Sequence, residues 1–253
     1  MALRDVVDKV FPKRGRDMLW QAANRVAYPP DFSPDDVQLC KAVADMTMTS
    51  PERIVAFAEA VSYVVVNRIA GAVVECGVWR GGSMMAAAYR LLALGVTDRD
   101  LFLFDTYEGM APPTSRDVAY SGRAASEILA KTPRTEGDSY WCIAGIEDVR
   151  RNLQRTGYPQ ERIRLVQGRV EDTLPQSAPE AIAVLRLDTD WYESTRHELR
   201  HLYPRLSRGG VTIIDDYGHW KGAKEAVDEF LREQSPRPLL QRIDYTGRMF
   251  IKP

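Results

Sequence analysis

The fold is decided by residues 74–83, which read Val74-Glu75-Cys76-Gly77-Val78-Trp79-Arg80-Gly81-Gly82-Ser83. The apolar start of this stretch is typical of a buried strand, and the glycines that follow allow a tight turn. Gly82-Ser83 then opens a run with helical spacing, so the unpaired N–H groups of a helix N-terminus face the turn. A strand, a glycine-rich turn and a helix in this order indicate the first unit of a doubly wound α/β sheet.

The same alternation of strands and helices continues towards the C-terminus. Apolar strands are predicted at Ala72–Cys76, Leu101–Asp105, Ile163–Gln167, Ile182–Leu187 and Val211–Ile214. Helices are predicted at Ser83–Leu94, Ile143–Thr156, Ser194–Leu206 and Ala223–Glu233. Two last apolar runs, Leu239–Ile243 and Arg248–Ile251, flank a hairpin signal at residues 244–247. The pattern predicts a mostly parallel sheet covered on both faces, with antiparallel strands at one edge.

Two helices are predicted ahead of the sheet. Ser33-Pro34 and Ser50-Pro51 are typical helix starts, with serine as the N-cap and proline in the first turn. The second helix should run to about Arg68, and the segment before Asp31 should be irregular with one short helix. We therefore expect residues 1–70 to form an N-terminal extension and helical cap, and residues 71–253 to form the main domain.

Composition and charge exclude several classes of protein. The 253 residues suit one α/β domain with an extension, and the formal net charge is -1. Because Lys and Arg are spread along the chain, the basic stripe of a nucleic-acid binder is missing. The N-terminus is too charged for a secretory signal, and no apolar run is long enough for a membrane span. The three cysteines are far apart, so reduced thiols and a cytoplasmic location are the default expectation.

Acidic residues follow two of the predicted strands. Asp188 and Asp190 come after the strand ending at Leu187, and Asp215 and Asp216 come after Ile214. If these strands are neighbours, the carboxylates converge and repel one another unless a cation is present. All-oxygen ligation suits Mg²⁺ or Ca²⁺, and Mg²⁺ keeps positions open for substrate oxygens. Solvated carboxylates that cap helices are the alternative interpretation.

Two further carboxylates lie at strand ends that should face a ligand. Glu75 precedes the first glycine, where it suits a cationic group such as the sulfonium and ammonium of S-adenosylmethionine (SAM) better than a pyrophosphate. The glycine spacing also differs from G-x-G-x-x-G. Asp105, about thirty residues further on, is placed to bind ribose hydroxyls. A ligand-free turn and a loop-capping aspartate are the alternatives.

Other residues are less decisive. His219 is either a base or substrate contact, or a surface histidine. His197 and His201 have the spacing of a zinc pair, but a solvated helix face is the favoured interpretation. The tryptophans near the predicted site edge are either ligand-stacking residues or core aromatics: Trp79, Trp141, Trp191 and Trp220. The polar stretch Ala111–Asp138 has the length of a lid or binding loop.

Three strings together resemble the macrocin O-methyltransferase family, whose members methylate sugar hydroxyls of antibiotics, including mycinamicin and novobiocin. They are the stretch at residues 74–83, Leu187-Asp188-Thr189-Asp190-Trp191-Tyr192-Glu193-Ser194-Thr195 and Ile214-Asp215-Asp216-Tyr217-Gly218. The resemblance covers about Met46 to Lys252. It implies a seven-stranded, Rossmann-like SAM-methyltransferase fold and the transfer of a methyl group from SAM to a hydroxyl of a small natural product, with Mg²⁺ at the strand ends.

The resemblance also implies roles for single residues. Asp188, Asp215 and Asp216 would bind the metal, and Asp188 would be the general base, with His219 as the other candidate. The SAM site would be formed by Thr49, Glu75, Gly77, Val78, Gly82, Ser83, Asp105, Gly168, Arg169 and Val170. The implied partner is a glycosylated natural product, with no nucleic acid and no membrane.

Several alternatives stay open at the level of the sequence. The acceptor is a sugar hydroxyl or a phenolic or catechol-like hydroxyl. A nicotinamide-dependent oxidoreductase is disfavoured by the glycine spacing and by the paired aspartates, and a non-catalytic binding module would keep the pocket without the chemistry. The N-terminal segment either joins the interface of a homo-oligomer or folds over the active site.

Overall fold

The computed structural model of the chain describes residues 28–136 and 138–253. By its internal contacts the chain divides into two units, Met1–Val37 and Gln38–Pro253. In the first unit the predicted N-cap is confirmed, since the Ser33 hydroxyl accepts a hydrogen bond from the Asp36 N–H at 3.2 Å. The short helix predicted before Asp31 lies mostly outside the described residues. The domain boundary at residue 70 stays a prediction.

A seven-stranded sheet forms the centre of the second unit, as predicted. Its strands are β1 (Ala72–Cys76), β2 (Leu101–Asp105), β3 (Ile163–Gln167), β4 (Ile182–Leu187), β5 (Leu206–Ile214), β6 (Gln241–Arg242) and β7 (Arg248–Ile251). Their order across the sheet is β3-β2-β1-β4-β5-β7-β6. The first five strands pair in parallel, and β7 pairs antiparallel to both β5 and β6. The hairpin therefore closes one edge of a parallel sheet.

Helices surround this sheet and precede it. They are α1 (Pro34–Val43), α2 (Pro51–Val66), α3 (Gly82–Ala93), α4 (Ala125–Lys131), α5 (Ile146–Gln154), α6 (Val170–Thr173), α7 (Tyr192–Leu202) and α8 (Lys221–Arg232). Every residue of β1 and β4 is buried, as continuous apolar strands covered on both faces require. Helix α2 packs on α3 and on the sheet, and its N-cap Ser50 accepts a hydrogen bond from the Arg53 N–H. No helix in the described part of the chain is long and apolar enough to span a membrane.

Some predicted boundaries are wrong. β5 begins five residues before Val211, because a 3₁₀ turn at Tyr203–Arg205 ends the preceding helix early. The strand predicted at Leu239–Ile243 shrinks to two residues, Gln241–Arg242. The stretch Ala111–Asp138 is not entirely a loop, since it contains helix α4. Three residues of that helix, Ala125, Ile128 and Leu129, line the cavity described below.

The strand order reverses between β1 and β4. After β1 the chain continues to β2 on one side, and after β4 it continues to β5 on the other side. The carboxyl ends of β1 and β4 therefore border a crevice. Open α/β sheets bind their ligands at this position. The predicted acidic and glycine-rich stretches all follow strands that end at this crevice.

Candidate functional site

A cavity of about 480 Å³ lies at the carboxyl ends of the strands. This volume falls in the range of small-molecule sites. Its wall is formed by residues from every predicted motif: Thr49, Gly77, Val78, Ser83, Asp105, Gly168, Arg169, Val170, Asp188, Asp215, Asp216 and His219. Of the predicted site residues, Glu75 and Gly82 are buried next to this wall and do not line it. The fold therefore brings the separate sequence motifs to one place.

The glycine turn is required by close backbone contacts. Gly77 has a φ of +80°, and a Cβ there would lie 2.0 Å from the Asp188 carbonyl oxygen. At Gly82 a Cβ would lie 2.4 Å from the Met46 carbonyl oxygen. A side chain at position 77 would displace the chain just after β4, and a side chain at position 82 would displace the segment before α2. Glycines here thus fix the loop against both walls of the cavity.

Asp105 ties this turn to the end of β2. One of its carboxylate oxygens accepts hydrogen bonds from the Val78 and Trp79 N–H groups at 2.6 and 3.1 Å. The other accepts a bond from the Tyr107 N–H at 2.7 Å. Burial raises the pKa of Asp105, and these hydrogen bonds oppose the shift. The carboxylate thus shapes the loop while it lines the cavity, and its predicted contact with ribose stays a prediction.

Trp79 carries two signs of a ligand-facing position. Its φ is +46°, a backbone conformation that bulky residues rarely adopt. Its indole N–H is buried and has no hydrogen-bond partner among the described residues. Strained backbone of this kind is found disproportionately at functional sites. Trp79 also lines the cavity.

A buried arginine lies under the acidic residues. Arg186 in β4 is 2% exposed and contacts the carboxylates of Glu75, Asp188 and Asp215 at 2.6, 2.8 and 2.5 Å. Burial raises the pKa of Glu75 to about 7, and the charge of Arg186 opposes the shift. The second carboxylate oxygen of Glu75 is buried without a hydrogen-bond partner in the described part of the chain. An arginine inside an apolar strand gives no sequence signal of such partners.

Helix α2 and the segment before it also contact Asp215. Arg53 from α2 forms ion pairs with Asp215 and, at 2.9 Å, with Asp244 of the β6–β7 turn. Thr49 donates its hydroxyl hydrogen to Asp215 at 3.3 Å. Asp215 thereby receives two guanidinium groups and a hydroxyl, although it is 3% exposed. Arg53 connects the cap, the acidic cluster and the hairpin, and nothing in the sequence pattern points to it.

Three carboxylates meet at the floor of the cavity, as the sequence predicts. Oxygens of Asp188, Asp215 and Asp216 lie within 4.8 Å of one another. Burial, and after it the neighbouring Asp190, raises the pKa of Asp216 well above its usual value. Burial raises the pKa of Asp190 to about 7. The pKa of Asp188 is also raised, first by burial and then by Asp215 and Asp216, whereas Arg186 lowers it.

The carboxylate cluster, when ionised, carries an excess of negative charge that suits a divalent cation. It contains five carboxyl groups (Glu75, Asp188, Asp190, Asp215 and Asp216) and two guanidinium groups, those of Arg53 and Arg186. One buried oxygen of Asp216 has no hydrogen-bond partner among the residues described. A hard cation bound by oxygen ligands would satisfy this oxygen and offset the remaining negative charge. The residues therefore fit Mg²⁺.

The predicted histidines separate into two groups. His219 lines the cavity, and its backbone N–H donates to the Asp216 carbonyl at 3.0 Å. Burial lowers the pKa of the His219 imidazole. His197 and His201 lie on α7 with ring centroids 4.3 Å apart, away from the cavity wall. Trp191 and Trp220 line the cavity, whereas Trp141 packs beside it. Trp191 and Trp220 also belong to the buried core cluster on which Trp141 packs, and ligand stacking by any of the tryptophans stays a prediction.

Comparison with known proteins identifies relatives over most of the chain. A family model described as macrocin O-methyltransferase matches residues 33–252. The demethyldecarbamoylnovobiocin O-methyltransferase of Streptomyces niveus is 36% identical over 201 residues, which are 79% of this chain and 73% of that protein. The 8-demethyl-8-(2,3-dimethoxy-α-L-rhamnosyl)-tetracenomycin-C 4'-O-methyltransferase of Streptomyces olivaceus is 34% identical over the same shares. The solved structure of the O-methyltransferase NovP covers 82% of both chains, with a TM-score of 0.70 and 34% identity.

Proposed function

Since the chain belongs to the macrocin O-methyltransferase family and is a SAM-dependent O-methyltransferase, we propose that it methylates a sugar hydroxyl of a glycosylated antibiotic with the aid of Mg²⁺. The observation that carries this proposal is the cluster of three carboxylates at the floor of the cavity. Family membership also removes the nicotinamide-dependent alternative. The cytoplasmic location and self-association stay predictions.

Asp188, Asp215 and Asp216 would hold the cation. When bound there, a divalent cation lowers the pKa of a coordinated hydroxyl and offsets developing negative charge. Arg186 and Arg53 fix the orientation of Asp188 and Asp215, as supporting residues around a metal site usually do. The role of the two arginines is to hold the ligands in place before the cation arrives.

SAM would bind along the glycine turn. Gly77, Val78 and Ser83 border the cavity between β1 and the N-terminus of α3, and the unpartnered oxygen of Glu75 suits the cationic amino group of the methionine moiety. The adenosine moiety would extend towards Asp105 and the segment Gly168–Val170. The Gly168 N–H donates to the Asp105 carbonyl at 2.9 Å, which joins these two parts of the wall.

The chemical step needs a base and alignment. We assign Asp188 as the base, because its carboxylate belongs to the cluster at which the acceptor hydroxyl would be held. The acceptor oxygen forms a bond to the methyl carbon as the carbon–sulfur bond of SAM breaks, which leaves S-adenosylhomocysteine. The hydroxyl proton moves to a carboxylate oxygen of Asp188. His219, whose pKa is lowered, is neutral near pH 7 and is the other candidate base.

The nature of the acceptor is inferred from the relatives. The Streptomyces olivaceus protein is named for a rhamnosyl substrate and its 4'-O position, and the Streptomyces niveus protein is named for a novobiocin precursor. A sugar hydroxyl is accordingly our first proposal for this chain. A phenolic or catechol-like hydroxyl is the second, since the cavity wall is partly apolar through Met110, Ile128 and Leu129.

The test is methyl transfer from SAM labelled in the methyl group. Purified protein is incubated with Mg²⁺ and a panel of rhamnosides, other 6-deoxyhexosides and catechols. The proposal predicts labelled product from one or more glycosides, and loss of product when chelator is added. Product from catechols alone would replace the sugar assignment, and calorimetric binding of NADH without binding of SAM would overturn the activity itself.

A further inference from the structure

A row of aromatic rings leads from the floor of the cavity to its mouth. Trp191, which follows Asp190, is 5% exposed, and its ring centroid lies 4.9 Å from that of Trp220, which is equally buried. The next ring is His219, 4.9 Å from Trp220. Tyr120 lies 5.4 Å beyond His219, and Tyr245 lies 5.7 Å from Tyr120. The two tyrosines are 63% and 54% exposed, so the row passes from the interior to solvent.

The outer rings are held by backbone contacts between three separate segments. The Tyr120 N–H donates to the His219 carbonyl at 2.8 Å, and Ala119 forms an isolated β-bridge with Trp220. The Gly218 N–H donates to the Thr246 carbonyl at 3.0 Å. At Gly218 a Cβ would lie 2.3 Å from the Tyr245 carbonyl oxygen, so the hairpin packs directly on this loop. The backbone at both tyrosines is therefore held in place before any ligand binds, which lowers the entropic cost of binding.

The exposure of these tyrosines is not explained by the fold. Both are more than half exposed, yet their rings meet edge to face at 83°, and Tyr245 lines the cavity. This arrangement leaves ring faces uncovered, and aromatic faces bind flat rings by offset stacking. Because His219 contacts both tyrosines and also lines the cavity, a ligand that covers the tyrosines is continuous with one that fills the cavity.

We propose that Tyr120 and Tyr245 form a stacking platform for a flat aromatic aglycone, which is attached to the sugar that presents its hydroxyl to the carboxylate cluster. This inference rests on the proposed function and specifies its substrate as a two-part molecule. Trp191 and Trp220 line the cavity together with the carboxylates, and two further centroid steps of 4.9 and 5.4 Å separate Trp220 from Tyr120. One six-membered ring does not span that length, so a ligand that reaches both the carboxylates and the tyrosines needs a second ring.

Binding of a matched pair of glycosides tests the platform. The probes are 4-methylumbelliferyl α-L-rhamnoside and methyl α-L-rhamnoside, titrated by ligand-observed NMR in the presence of S-adenosylhomocysteine and Mg²⁺. The two share a sugar and differ in the aromatic ring. The variants are Tyr120→Ala and Tyr245→Ala, each compared with its Phe counterpart, which keeps the ring. Leu239→Ala is the matched control, since Leu239 is 75% exposed and does not line the cavity.

The aromatic glycoside should bind the wild-type protein at least tenfold more tightly than the methyl glycoside. Each Ala variant should lower this preference by about threefold to tenfold, the usual effect of losing one stacking contact. The Phe variants and Leu239→Ala should keep it. Equal binding of the two glycosides, no binding of the aromatic one, or a preference that survives both Ala variants would overturn the platform. Methyl transfer in the acceptor panel is measured separately, so failure of the platform leaves the proposed activity standing.

Discussion

Replacement of Asp216 by asparagine should make the metal-free protein more stable. Its carboxylate lies within 4.8 Å of Asp188 and Asp215, and at an effective dielectric constant of about 20 two unit charges at that separation repel by roughly 3 kcal/mol. One buried oxygen of this side chain has no hydrogen-bond partner among the described residues, so the change removes repulsion at little cost in hydrogen bonds. Because nearby arginines and partial protonation relieve part of the repulsion, we expect a gain of about 1 to 3 kcal/mol at pH 8.

The neighbouring Asp215→Asn change should have the opposite sign. Asp215 pairs with Arg53 and Arg186, and removal of one partner from a buried ion pair costs about 3 kcal/mol or more. Both variants are unfolded in urea with chelator present. The control is Asp98→Asn, a change of an exposed aspartate near the amino ends of the strands, away from the carboxylate cluster. The prediction is refuted if Asp216→Asn loses as much stability as Asp215→Asn.

The gain in Asp216→Asn should depend on pH and on metal. The pKa of Asp216 is raised in the folded protein, so the folded state holds a proton more tightly than the unfolded state. The contribution of Asp216 to stability is therefore complete below its unfolded pKa of about 4 and is lost as pH rises through the folded value. The advantage of the variant should accordingly be larger at pH 8 than at pH 5. Mg²⁺ at about 100 times its Kd should stabilise the wild type by about 2.7 kcal/mol and the variant by less.

Three further changes have defined outcomes. Gly77→Ala should cost more than about 1 kcal/mol in urea unfolding and weaken calorimetric SAM binding, because the new Cβ would lie 2.0 Å from the Asp188 carbonyl oxygen at a φ of +80°. Asp188→Asn should abolish methyl transfer while calorimetric SAM binding stays near normal; near-normal turnover would contradict its role as the base. Burial raises the pKa of Glu75 to about 7, so the metal-free wild type should lose stability between about pH 4.5 and pH 7. Glu75→Gln should make this loss smaller. An unchanged pH profile in urea unfolding would show that Glu75 does not cause this loss.

Much of the fold follows from the sequence because the parallel strands are continuous apolar runs. β1 to β4 begin and end at the predicted residues, since such runs have few alternatives once glycine and proline mark the turns between helices and strands. β5 was harder to place because its first residues, Leu206-Ser207-Arg208-Gly209-Gly210, lack the composition of a strand. Pairing of Leu206 with Ile182 of β4, and backbone hydrogen bonds of Gly209 and Gly210 to Lys252, override that local preference.

The candidate site was predictable only in part. The convergence of Asp188, Asp215 and Asp216 follows from the order of parallel strands, because their carboxyl ends share one edge. Arg53 and Arg186 were not predictable, since their partners are distant in sequence and depend on the relative positions of α2, β4 and β5. The row of aromatic rings was also not predictable, because it joins three segments that only the folded chain brings together.

Methyl transfer should depend on a divalent cation bound by the carboxylate cluster. This dependence is measured as transfer of a labelled methyl group from SAM to the glycoside panel, first with Mg²⁺, then with excess chelator, and then with Mg²⁺ restored. We expect product with Mg²⁺, a large loss with chelator and recovery when the metal is returned. Methylation that proceeds at the same rate in chelator would contradict it.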